Sequence, residues 1–248
     1  MGVWREHEVS SADLQIAGLT AMSTVDWPGK LVATVFAQGC PWNCPYCQNS
    51  AILDPRTPGA VPFTAVTALL SKRHGLLDGV VFSGGEATRQ LGVVPAARQV
   101  KEMGFAVGLH TAGPYPRRLA QLLDAGLVDW VGIDLKATRA NYPEVVRRSG
   151  SGAKAYESLA VVLDYARIHP DFDYEVRITA FPDSPGEEYQ VAEYAKQLGV
   201  RTLALQKARE LGAPPDFQAH RAGWDAKFAK LQSDIAKLGF NNFIVRAD

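Results

Sequence analysis

Residues 39–48, Gly39-Cys40-Pro41-Trp42-Asn43-Cys44-Pro45-Tyr46-Cys47-Gln48, hold all three cysteines of the chain. Gly39, Pro41, Asn43 and Pro45 favour turns over helix or strand, so the stretch reads as a loop wrapped around something small. Three readings compete for its thiols. A disulfide would leave one cysteine over, and an intracellular chain keeps its thiols reduced. A structural zinc site needs four ligands in a tetrahedron, so a distant histidine such as His110 would have to complete it. An iron-sulfur cubane normally takes four thiolates. Three would leave one iron free to bind a substrate or cofactor directly, which is a catalytic feature rather than a structural one.

The spacing Cys40-x-x-x-Cys44-x-x-Cys47, with Tyr46 just before the last cysteine, resembles the signature of the radical S-adenosylmethionine (SAM) enzymes. The resemblance implies that Cys40, Cys44 and Cys47 hold a 4Fe-4S cluster whose open iron chelates the amino and carboxylate groups of SAM. An electron from the cluster then cleaves the sulfonium and yields a 5'-deoxyadenosyl radical. Further motifs follow in the family's order. Ser83-Gly84-Gly85-Glu86 looks like the Gly-Gly-Glu segment whose backbone and carboxylate hold the cofactor's amino group, with Ala87 where many members have proline. Glycine there lets the main chain approach a ligand closely. Asp134-Leu135-Lys136 resembles an Asp-x-Lys element of glycyl-radical activating enzymes, and Arg177 sits where those enzymes place an arginine. By that likeness Lys136 and Arg177 hold the cofactor's carboxylate and Asp134 lies near its amino end, a division that charge complementarity supports. Tyr46 is expected near the adenine. His110-Thr111-Ala112-Gly113 aligns with a segment many activases write as Asp-Thr-Asn-Gly, which makes His110 a further candidate cofactor contact.

No cysteine outside the loop means no cysteine-ligated auxiliary cluster. Ser23-Thr24-Val25-Asp26-Trp27-Pro28-Gly29-Lys30, ahead of the loop, looks like the leading segment of the activating protein of anaerobic ribonucleoside-triphosphate reductase. That likeness implies hydrogen abstraction from a backbone glycine of a large partner, with flavodoxin or ferredoxin as reductant and sensitivity to oxygen. The alternatives are a pyruvate formate-lyase activase, an enzyme of the 7-carboxy-7-deazaguanine synthase kind, and a non-enzymatic iron-sulfur or zinc regulator.

These residues need a scaffold, and the sequence alternates short apolar runs with amphipathic stretches. Strands are expected at 31–37, 79–83, 105–110, 128–136, 174–180, 202–207 and 243–246, with an irregular one within 13–23. Helices are expected at 62–73, 89–103, 116–124, 155–168 and 187–198. Trp224, Phe228, Leu231, Ile235 and Leu238, at 4-3-4-3 spacing, mark a closing helix. Repeated strand-helix units predict a parallel sheet with right-handed crossovers, and six suit a partial (β/α)6 barrel, the fold the resemblance also implies. Residues 1–23 are expected as an N-terminal extension and 24–248 as one domain. Along such strands alternate residues face the helices and the lumen. Val131, Ile133 and Leu135 leave Asp134 and Lys136 on the other face, and Val176 and Ile178 leave Glu175, Arg177 and Thr179. His110 and Gln206 fall likewise. Charges in a lumen are costly unless paired or bound to a ligand, so these polar sets predict a site.

At 248 residues the chain suffices for a single domain with a full core. Equal numbers of basic and acidic residues, 26 each, argue against nucleic-acid binding, which calls for a basic excess. Met1 to Ser10 lack the apolar stretch of a secretion signal, and no apolar run is long enough to cross a bilayer. A cytoplasmic protein is the expectation.

Overall fold

The computed structural model describes residues 8–247; residues 1–7 of the expected N-terminal extension, and residue 248, lie outside the described residues. Eight strands form one sheet in sequential order: β1 (Ile16–Ser23), β2 (Val32–Ala37), β3 (Gly79–Gly84), β4 (Ala106–Thr111), β5 (Trp130–Leu135), β6 (Asp173–Ala180), β7 (Thr202–Lys207) and β8 (Asn242–Arg246). The β1–β2 pair is antiparallel and every later pair is parallel. Helices α1 (Phe63–Ser71), α2 (Val93–Glu102), α3 (Pro116–Asp124), α4 (Tyr142–Val146), α5 (Ser151–Ile168), α6 (Glu188–Gln197) and α7 (Trp224–Ala236) occupy the crossovers. Strands β2 to β7 are the six expected of the partial barrel, and β1 and β8 are the further strands expected within 13–23 and at 243–246. β1 and β8 flank the six without pairing to each other among the described residues, so the partial barrel stays open on that side. No helix among the described residues is long and apolar enough to cross a membrane.

The alternation along the strands sets the layers. Val131, Ile133 and Leu135 join Val107, Leu109, Val176, Ile178, Leu203 and Leu205 in one buried cluster with the inner faces of the helices, for example Leu119, Leu122 and Leu123 of α3. The lumen is filled separately at its base. Trp27 lies flat on Trp130, ring centroids 5.6 Å apart, and Val32 and Val81 close the cluster. Gly108 of β4 makes room for this plug, since a Cβ there would come within 2.9 Å of the Trp27 ring. Of the leading segment, Trp27 thus forms the lumen's floor, while Pro28 and Gly29 after it are exposed.

Two elements start later than expected for local reasons, and one short helix is not among those expected. The helix expected from 89 begins at Val93, because Gln90 is held in extended backbone. Its amide donates to the carbonyls of Gln15 and Gln38 and accepts from the Gln15 N–H. β5 starts at Trp130 rather than 128. The Asp129 side chain there accepts from the Lys101 ammonium and the Val107 N–H. The short helix α4 carries Pro143 in its first turn and is too brief for periodicity to show.

Candidate active site

Above the tryptophan floor the strand ends enclose a cavity of about 480 Å³, within the range of small-molecule sites. Every candidate cluster or cofactor residue from the sequence lines it: Cys40, Cys44, Tyr46, Cys47, Ser83, Gly84, Gly85, Glu86, His110, Asp134, Lys136 and Arg177; of the other lumen residues expected by alternation Thr179 and Gln206 line it and Glu175 does not. Asp26, Trp42, Asn49, Thr111 and Arg246 join them.

The cysteine loop leaves β2 and is fastened by its backbone. Gly39 and Cys40 donate to the carbonyls of Ile52 and Leu53, and Asn43 donates to Val146. Trp42 packs edge-on against Tyr142, and Tyr46 against Phe181 at 4.5 Å between centroids. All three thiols are free. Burial pushes Cys44 up to about 11 and raises Cys40 and Cys47 too, with the Lys136 ammonium pulling Cys44 and Cys47 the other way. Among the described residues no three His, Cys, Asp or Glu side chains converge on one ion position, so His110 does not complete a single-ion zinc site with the cysteines.

The glycine pair at the end of β3, Gly84 and Gly85, lies against this loop. Gly84 has φ +108°, and a Cβ on it would stand 2.2 Å from the Ala37 nitrogen; one on Gly85 would stand 2.5 Å from the Gly39 carbonyl oxygen. Both glycines are therefore required by packing against β2 and the loop. Glu86 is 1% exposed. Its Oε1 accepts from the Thr88 N–H and hydroxyl and from the Thr111 hydroxyl, at 3.2, 2.5 and 2.8 Å, and its Oε2 from the Ala112 N–H at 3.0 Å. The carboxylate thus ties the end of β3 to the end of β4, with only Oε2 holding capacity to spare. No sequence signal marks Thr88 or Thr111 for this task.

His110 is half-buried, and its desolvation, with the Arg177 charge beside it, pushes the imidazole well below the usual range and keeps it neutral. Nε2 lies 2.6 Å from the Asp26 carbonyl and Nδ1 3.3 Å from the Ser83 hydroxyl. That network assigns the proton to Nε2, which donates to Asp26, while Nδ1 accepts from Ser83. Nε2 then has no lone pair for Arg177 Nη2, 3.1 Å away, and that donor is left for the cavity.

Asp134 and Lys136 meet on the lumen face, Oδ2 to Nζ at 3.3 Å. Burial alone would lower the Lys136 ammonium, but Tyr46 and Asp134 around it hold it well above its ordinary value. Nζ lies 5.5 Å from the centre of the Tyr46 ring. Two buried polar atoms here, Asp134 Oδ1 and Tyr46 Oη, have no hydrogen-bond partner among the described residues. Arg177, beside Asp134 in register, donates through Nε to Glu175 Oε1 at 2.7 Å and lies over Trp130. Arg246 was not among the residues singled out, although Phe243 and Val245 on the helix-facing side would have placed it in the lumen by alternation.

The model of the Radical SAM superfamily matches residues 34–195. A protein of Methanocaldococcus jannaschii, provisionally named a glycyl-radical enzyme activating enzyme, is 30% identical over 232 residues, 90% of each chain. Among solved structures, a radical SAM methyltransferase from Sphaerobacter thermophilus superposes with a TM-score of 0.61 at 17% identity, covering 89% of this chain and 67% of that one. Streptococcus suis SuiB bound to S-adenosylmethionine gives a TM-score of 0.60 at 10% identity, covering 85% of this chain. The present chain spans about half of SuiB, 48% of its length. At such identities the structures show the shared fold alone. The family match spans the cysteine loop and five of the six central strands, and with the relative alike over nine-tenths of the length it means that this chain belongs to the radical SAM superfamily, whose enzymes use a 4Fe-4S cluster and S-adenosylmethionine.

Proposed function

We propose that this chain is a glycyl-radical enzyme activase, acting on anaerobic ribonucleoside-triphosphate reductase. The observation that carries the reading is the convergence of its only three cysteines, all free, with a lysine and an arginine on the lining of one cavity. The residues present fit the two groups. Cys40, Cys44 and Cys47 would hold the cluster through three irons and leave the fourth open. The unpartnered Asp134 Oδ1 and Tyr46 Oη are buried polar atoms that a ligand would satisfy. Lys136 and Arg177 would take the cofactor's carboxylate, and Asp134 with Glu86 Oε2 its ammonium. When bound, the cluster and SAM supply a 5'-deoxyadenosyl radical by one-electron cleavage of the sulfonium. The chain's own residues orient the cofactor and keep the wall dry, through the Tyr46–Phe181 and Trp42–Tyr142 contacts.

Two features favour a polypeptide substrate. The cavity lining runs from Val25, 76% exposed after β1, to Arg246 on β8, so it reaches the unclosed side of the barrel. The leading segment that resembles activases also builds the site, Trp27 as its floor and the Asp26 carbonyl as the anchor of His110. Anaerobic incubation of the reduced, cluster-loaded protein with SAM and the reductase is expected to give a glycyl radical signal and one 5'-deoxyadenosine per radical formed. SAM cleavage with no radical on the reductase, but with one on a formate-lyase, would move the assignment to that partner.

A further inference from the structure

Arg177 is fixed from several sides. Nε is bonded to Glu175, the guanidinium lies 5.3 Å from the centre of the Trp130 ring, and a Cβ on Gly132 would come within 2.7 Å of its Cζ. Glu175, 1% exposed, is in turn gripped by Arg246 of β8. Arg246 Nη1 donates to Oε1 and Nη2 to Oε2, both at 2.8 Å, and Nη1 also reaches Gln206 Oε1 at 3.3 Å. A carboxylate held by Arg177 alone could turn about its side-chain torsions. The two-point fork of Arg246 fixes its plane, and so fixes the direction from which it accepts the Arg177 Nε–H. Charge points the same way. Lys136 and Asp134 cancel each other, whereas two guanidiniums on one carboxylate leave this part of the wall with one net positive charge, matched to a single anionic group.

We propose that Arg246, acting through Glu175, is a positioning residue that aims the Arg177 guanidinium at the carboxylate of S-adenosylmethionine. This rests on the assignment of Arg177 to that carboxylate given above. The rotamer freedom of Arg177 is then lost on folding rather than on binding, which favours affinity. β8, far in sequence from the cluster loop, becomes part of the cofactor site.

The test is isothermal titration of the cluster-loaded protein, anaerobic and without reductant so that nothing is cleaved, using SAM and decarboxylated SAM as ligands. Arg246→Gln is expected to weaken SAM binding about tenfold, the scale of one charge-assisted hydrogen bond, and to leave the decarboxylated ligand unchanged. Arg246→Lys, which keeps a cation beside Glu175 without the fork, should show a smaller loss confined to SAM, and serves if the glutamine variant does not fold. Arg177→Gln should discriminate between the ligands at least as strongly. Wild-type binding by Arg246→Gln, or equal losses for both ligands, alongside a discriminating Arg177→Gln, would overturn the positioning role and leave the carboxylate assignment standing. Failure of Arg177→Gln to discriminate would overturn both.

Discussion

Cys44→Ser is expected to abolish cluster assembly, with iron falling from about four per chain to below one and SAM cleavage falling by more than about 100-fold. Changes to residues that only support a metal ligand already cost roughly 10 to 100-fold, so loss of a ligand must exceed that. Three thiols are the minimum for this cluster, and no other cysteine exists to substitute. Cys44 is the buried member of the set, packed among Trp42, Tyr46, Tyr142 and Phe181. Serine keeps nearly the same volume there, so the fold should survive while the cluster does not. Iron and sulfide analysis with cleavage assays on the anaerobically reconstituted variant checks this. A variant that retained four irons and normal cleavage would mean that the loop is not the ligand set.

Glu86→Ala is expected to strike the fold as well as the site. Removing the carboxylate leaves the Thr88 N–H, two threonine hydroxyls and the Ala112 N–H to find other acceptors in a place where Glu86 itself is 1% exposed. Unsatisfied buried donors cost about 1 to 3 kcal/mol each. Because the hydroxyls can rotate toward other acceptors, a total loss of about 3 to 5 kcal/mol is expected, a large share of a typical domain's 5 to 15 kcal/mol. Urea unfolding should show the midpoint falling with an unchanged slope. An unchanged midpoint would mean that the carboxylate does not tie β3 to β4.

The layers of this protein are written plainly in its sequence. Period-two alternation in Trp130–Leu135 and Asp173–Ala180 separates Val131, Ile133, Val176 and Ile178 from Asp134 and Arg177, and the faces form accordingly. The convergence of distant motifs on one cavity follows from that alternation plus the sequential order of the strands. What is hidden depends on partners remote in sequence. Gln90 is held out of helix by the backbone at residues 15 and 38. Trp27 finds its stacking partner across the lumen, in space that Gly108 leaves open. Glu86 looks like a pure ligand contact until its four donors are seen. Arg246, in a five-residue strand, gains meaning only when Glu175 is found between it and Arg177.

The central claim is that the cysteine loop holds an open cluster that binds SAM inside this cavity. Electron paramagnetic resonance of the reconstituted, reduced protein, recorded with and without SAM, tests it most directly. A 4Fe-4S spectrum that shifts on adding SAM in the wild type, and does not shift in a Lys136→Met, Arg177→Gln double variant, is the predicted result. A spectrum indifferent to SAM in the wild type, or a protein that takes up zinc and no iron, would contradict it.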